Sequence, residues 1–120
     1  MDDEPDLLAT IKMSLERSGY FVHAFSDPSL ALKHIREDGC KDCSLIISDL
    51  RMEGMTGIEM AYHVKKARSD LRFVLMSAMP IRKDEWRDIV PMSENIDDFI
   101  PKPFTRKQLV QLVKKWEKET

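Results

Sequence analysis

The amino-acid sequence predicts an α/β fold, a parallel sheet with helices on both faces. Strand-like and helix-like segments alternate along its 120 residues. Two runs, 45–47 and 73–76, are apolar without alternation, as strands buried on both sides are. They lead into Ser48-Asp49 and Ser77, and strand ends facing an open crevice are where such sheets bind ligands.

Each element has a local reason. Leu7, Leu8, Ile11 and Leu15 form one helical stripe over 4–17, which Ser18-Gly19 ends. Tyr20 to Phe25 is aromatic and β-branched, which predicts a short strand. Ser26-Asp27-Pro28 starts a helix whose Ala31, Leu32 and Ile35 face inward until Asp38-Gly39. A strand over 43–49 follows, then a loop with two glycines over 52–57. The next helix carries Ile58, Ala61, Tyr62 and Val64. Residues 71–77 predict a second buried strand. The segment 82–89, with Ile81, Trp86, Ile89 and Val90, reads as an amphipathic helix. A short strand at 97–100 precedes a last helix over 105–118, where Leu109, Leu112, Val113 and Trp116 share a face.

Bulk properties narrow the function. At 14.0 kDa the chain fits one domain, and 42% hydrophobic residues suffice for a core. A net charge of −2 argues against direct nucleic-acid binding. The acidic start and the lack of a long apolar run predict a cytoplasmic protein without a membrane span. Cys40 and Cys43 have the spacing of half a zinc site, but no second pair exists. They read as two loop thiols, with an oxidation-sensitive pair or an intermolecular metal site as alternatives. His23, His34 and His63 stand on separate elements and read as structural or surface residues.

In a parallel sheet the carboxyl ends of all strands share one edge. Asp49, Ser77 and Lys102 therefore meet in one crevice, joined by Asp2 and Asp3 if a strand leads into them. Singly, each has an ordinary reading as a helix-end charge, a cap, a turn or a loop residue. Together, three carboxylates require a cation, and all-oxygen ligands with room for water and phosphate suit Mg²⁺. An Asp oxygen can attack phosphorus, while Lys102 and Ser77 engage the phosphoryl oxygens.

Asp2-Asp3-Glu4-Pro5, Ser48-Asp49-Leu50-Arg51-Met52 with Gly54-Met55-Thr56-Gly57, Met76-Ser77-Ala78, and Phe99-Ile100-Pro101-Lys102-Pro103-Phe104 together resemble the receiver domains of two-component response regulators. The resemblance spans the chain. It implies a flavodoxin-like (βα)5 sheet of order 2-1-3-4-5 and one receiver domain over residues 1–120. It also implies Asp49 as phosphoacceptor. Asp2, Asp3, Asp49 and the Arg51 backbone carbonyl would be Mg²⁺ ligands. Ser77 and Phe99 would be switch residues, and Lys102 the site lysine before a cis Pro103. A histidine kinase or phosphotransfer protein would donate the phosphoryl group in a phosphorelay. The fourth helix, fifth strand and fifth helix of the family fold would meet a downstream protein, which leaves room for a homodimer. The domain would be a phosphoacceptor, not an enzyme beyond assisting its own phosphorylation and dephosphorylation.

Two other classes compete. Phosphatases and phosphomutases that use an aspartyl phosphate place an acid two residues after the nucleophile. Position 51 is Arg. A degenerate receiver-like module would bind a partner without phosphorylation, against the intact Asp49, Ser77 and Lys102. Glu53 replaces the family's usual proline, and Phe99 a tyrosine. The larger departure is at the start. The family has about five apolar residues before its acidic pair, forming the central strand, and here only Met1 precedes Asp2. Unpaired buried backbone groups cost about 1–3 kcal/mol each, so a chain without that strand is expected to be marginally stable. A misplaced start, trimming, or strand addition by a partner would each account for the loss. No output domain is visible after Trp116.

Overall fold

The computed structural model describes residues 1–37 and 43–117. Its elements are α1 (Pro5–Arg17), α2 (Pro28–Arg36), β1 (Leu45–Asp49), α3 (Gly57–Ala67), β2 (Arg72–Ser77), α4 (Trp86–Ile89), β3 (Asp98–Pro101) and α5 (Arg106–Lys115). A 3₁₀ turn at Ser93–Asn95 precedes β3. Among the described residues the sheet is parallel, with order β1-β2-β3. Leu45 aligns with Arg72 and Asp49 with Met76, while Val74 aligns with Asp98 and Ser77 with Pro101.

β2 explains why the apolar runs do not alternate. Phe73 and Leu75 pack on one face with Met60, Ala61, Val64 and Phe99. Val74 and Met76 pack on the other with Ile11, Leu15, Leu109, Leu112 and Val113. Both faces are covered, so both sets of side chains must be apolar. Three helix starts are capped by side chains. Asp27 accepts the Ser29 N–H, and Thr56 with Glu59 and Thr105 with Gln108 form reciprocal capping boxes.

Three expectations change. Residues 20–25 form no strand, and Phe21 is 98% exposed. In the expected sheet order this segment borders only the first strand, of which the chain holds Met1. Propensity without a neighbour does not make a sheet. The helix over 82–89 shrinks to the single turn Trp86–Ile89. Cys43 is disulfide-bonded, not a free thiol; Cys40 and the expected helix end at Asp38-Gly39 lie outside the described residues.

Among the described residues strand β3 is an edge strand guarded by cations, a usual defence against edge pairing. Arg87 donates to the carbonyls of Ile96 and Asp97 at 3.3 and 3.1 Å. Lys83 donates to Asp98 Oδ1 at 2.7 Å and to the Phe99 carbonyl. Asp98 is 4% exposed and also accepts from the Trp116 indole N–H at 2.7 Å and from Lys115 at 3.2 Å. Burial alone would raise its carboxyl, but bonds from Lys83, Trp116 and the Phe99 N–H outweigh it and hold the pKa at about 2. A depressed carboxyl stabilises the fold above its unfolded value of 3.8, and that contribution disappears as pH falls through about 2. It amounts to about 2 kcal/mol. Asp98→Asn is therefore expected to lower stability at neutral pH by about that much and to flatten the acid limb of the stability curve. Urea melts across pH test this; an unchanged acid limb refutes it.

Candidate functional site

Asp49 ends β1, and the fold holds that end from both sides. The Leu50 N–H donates to the Met76 carbonyl at 2.9 Å, and the Asp49 N–H to the Met1 carbonyl at 2.9 Å. Gly57, the first residue of α3, lies against the Asp49 backbone. A Cβ at position 57 would stand 2.3 Å from the Asp49 carbonyl oxygen and 2.6 Å from Leu75 Cδ1. The Gly57 N–H also donates to the Leu50 carbonyl at 2.8 Å. Gly54 has φ +88°, a left-handed turn conformation that glycine adopts without strain.

The first residues bring two more carboxylates to this end. Asp2 is fully buried, Asp3 exposed and Asp49 9% exposed. One carboxylate oxygen from each lies within 4.8 Å of the others. Lys102 leaves β3 with its N–H on the Ser77 carbonyl at 2.7 Å. Its Nζ stands 2.9 Å from Asp2 Oδ2 and 3.3 Å from Asp49 Oδ2. The Lys102-Pro103 peptide is cis. Ser77 is 2% exposed, and its hydroxyl accepts the Met79 N–H at 3.0 Å. Arg51 is exposed, its guanidinium 3.8 Å from Met79 Sδ. Phe99 is fully buried and stacked on Trp86, ring centroids 6.0 Å apart.

The electrostatics follow from burial and crowding. Desolvation raises the Asp49 carboxyl, Lys102 opposes that, and Asp2 adds to it; the net shift is upward. Burial would lower the Lys102 ammonium, but its bond to Asp2 and the charges of Asp49 and Asp2 hold it above its ordinary value. The Met1 ammonium is lowered to about 6, by burial first and against the pull of Asp2 and Asp49. Three carboxylates facing one lysine ammonium leave two negative charges, which one divalent cation would balance. The donors are all oxygen, from side chains that leave room for water and an anion, which fits Mg²⁺.

The site residues expected from sequence thus divide in two. Asp2, Asp3, Asp49 and Lys102 meet directly. Ser77 joins through the backbone beside Lys102, while Phe99 belongs to the core on the α3 side. Gly57 and the Met1 ammonium were not singled out from sequence. The two-glycine loop was a usable signal for Gly57; nothing local marks a terminal amine as buried.

Residues 1–114 match the family described as the response regulator receiver domain. The C4-dicarboxylate transport transcriptional regulatory protein DctD of Rhizobium meliloti is 29% identical over 119 residues, covering 99% of this chain and 25% of its own length. The DNA-binding response regulator MtrA of Mycolicibacterium smegmatis is 30% identical over 114 residues, covering 95% and 47%. The chain therefore spans less than half the length of either relative. Among solved structures, the response regulator protein TrrA of Thermotoga maritima, in complex with Mg²⁺-BeF, superposes with a TM-score of 0.80. It is 28% identical, covering 97% of this chain and 94% of that one. A receiver domain protein from Clostridium thermocellum superposes with a TM-score of 0.81 at 24% identity, covering 95% and 87%, a likeness of fold. Among the described residues no helix is long and apolar enough to cross a membrane.

Proposed function

Because the chain belongs to the response regulator receiver domain family, we propose that it is a phosphorylatable switch whose acceptor is Asp49. The observation that carries this reading is the meeting of Asp2, Asp3, Asp49 and Lys102 at one strand end. Asp2, Asp3, Asp49 and the Arg51 carbonyl would hold Mg²⁺. When bound, the ion supplies charge neutralisation that lets an anionic phosphoryl group approach three carboxylates.

The chain's own residues do the rest. An Asp49 carboxylate oxygen forms a bond to phosphorus as the bond from phosphorus to a donor histidine nitrogen breaks, and the freed imidazole takes up a proton. Lys102, already shared between Asp2 and Asp49, turns its ammonium to a phosphoryl oxygen as a point charge. The Ser77 hydroxyl gives up the Met79 N–H and donates to another of those oxygens. Phe99 follows as the partner-facing switch, with α4, β3 and α5 forming the face that meets a downstream protein. The donor is a histidine kinase or phosphotransfer protein in the cytoplasm, with no direct contact to nucleic acid or membrane. Similarity of 28% to a protein solved with Mg²⁺-BeF supports the ion and the phosphoryl-like group together.

Incubation with acetyl phosphate and Mg²⁺, followed by intact-mass measurement, tests the assignment. The chain is expected to gain one phosphoryl group and Asp49→Asn none. Equal labelling of both would reject Asp49, and labelling that survives chelation of the metal would reject the ion's role.

A further inference from the structure

Ser48 is fully buried in β1, one residue before Asp49. A hydroxyl in such a place costs free energy unless it is bonded, and alanine would carry no such cost. Ser48 Oγ donates to the Asp49 carbonyl oxygen at 3.0 Å and stands 3.7 Å from Met52 Sδ. We propose that Ser48 is a positioning residue for the cation-binding end of β1. Its hydroxyl holds the peptide between Asp49 and Leu50, and through that peptide the Asp49 carboxylate and the Arg51 carbonyl that would take Mg²⁺. This role rests on Asp49 being the acceptor.

The hydroxyl acts through the backbone because it cannot act directly. Side chains alternate across a strand. Ile46 packs with Met60, Phe73 and Leu75 on the α3 face, so Ser48 points to that face. Leu45 and Ile47 pack with Ile11 and Leu109 on the other, which is the side of the Asp49 carboxylate. Backbone groups alternate as well. The Ser44 carbonyl and the Leu50 N–H bond toward β2, whereas the Asp49 N–H bonds to the Met1 carbonyl. The Asp49 carbonyl therefore stands outside the ladder between β1 and β2, and Ser48 brings a donor to it.

That carbonyl belongs to the joint between strand and loop. On the far side of the same peptide, the Leu50 N–H donates to the Met76 carbonyl at 2.9 Å. Gly57 crowds the oxygen from α3, so close that a Cβ there would stand 2.3 Å away. Hydroxyl and glycine thus grip one oxygen from two elements. Rotation of the peptide would swing the Asp49 side chain on one side and the Arg51 carbonyl on the other. Mg²⁺ tolerates little of this, because it demands near-ideal octahedral geometry. The Met52 thioether is a weak acceptor, so the carbonyl is the partner that matters.

Two measurements test the role without any phosphoryl donor: Mg²⁺ titration by calorimetry, and amide hydrogen exchange in metal-free protein. Ser48→Ala is expected to weaken Mg²⁺ binding at least about tenfold, the usual loss when a group supporting a metal ligand is removed. It is also expected to speed exchange at Leu50 and Gly57 relative to Val74 at the centre of β2. Ser48→Thr keeps the hydroxyl and is expected to restore both. Met52→Leu removes only the sulfur and is expected to change neither. Unchanged Mg²⁺ affinity in Ser48→Ala, an equal loss in Met52→Leu, or an equal loss in a Ser48→Thr chain with an unaltered urea midpoint would each overturn the proposal. Should the extra methyl keep Ser48→Thr from folding, the contrast between Ser48→Ala and Met52→Leu decides. Failure of the acceptor reading looks different. Asp49→Asn would then bind Mg²⁺ as tightly as the unaltered chain, whereas an Asp49→Asn loss with no Ser48→Ala loss leaves the site standing and makes the hydroxyl a core group only.

Discussion

Lys102→Met is expected to cost the folded chain about 3–5 kcal/mol, because it strips the cation from a buried carboxylate. Asp2 is fully buried, and the lysine bonds it at 2.9 Å while standing 3.3 Å from Asp49. Methionine keeps most of the volume and none of the charge, so Asp2 and Asp49 face each other uncompensated. Two measurements separate structure from chemistry. Urea unfolding should show the loss, and Mg²⁺ should restore part of it, since an ion that binds only the folded site stabilises it by mass action. Phosphoryl incorporation should remain at least about a hundredfold slower even at saturating Mg²⁺, the cost of losing a charge aimed at the phosphoryl oxygens. Restoration of both stability and rate by Mg²⁺ would show that Lys102 is only a counter-ion.

Gly57→Ala carries the second large effect, and it acts through the backbone. The new methyl would lie 2.3 Å from the Asp49 carbonyl oxygen and 2.6 Å from Leu75, with no flexible chain end able to yield on the backbone side. Helix α3 must move away from β1, or β1 must shift. Overpacking of this kind costs about 1–3 kcal/mol, although alanine is the better helix former. The Asp49 carboxylate moves with its backbone, so Mg²⁺ affinity should fall together with stability. Alanine at Gly54 tests the same loop differently. No atom lies within 4 Å of a Cβ there, and the penalty is conformational, from φ +88°. Gly57→Ala should therefore be the worse for Mg²⁺ binding. A reversed ranking would show that loop conformation, not the close approach of α3, sets the position of Asp49.

Much of the architecture was legible because it rests on local pattern. The apolar runs at 45–47 and 73–76, and the helical stripes of α1, α3 and α5, recur in the structure within a few residues. The motifs around Asp2, Asp49 and Lys102 hold side chains that the fold brings together at one strand end. Residues 20–25 misled for a physical reason. Their aromatic and β-branched side chains suit a strand, but a strand exists only when its neighbour does. Trp86 to Ile89 kept one turn of the expected helix, while Lys83 engages β3 and Arg87 the two carbonyls just before it. The cluster around Asp98 joins residues 83, 98, 115 and 116, a spacing no local pattern contains.

What sequence alone determined is the class of fold, the family, and the residue types that chemistry at this site requires. Periodicity records which faces are buried, and the four motifs keep their order along the chain. What only the tertiary structure decided is where charge and space fall. It placed the Lys102 ammonium between two carboxylates, buried the Met1 nitrogen and pressed Gly57 onto Asp49. These depend on distances between residues far apart in the chain. Coulombic attraction, desolvation and steric exclusion act through such distances and leave no local mark on the sequence.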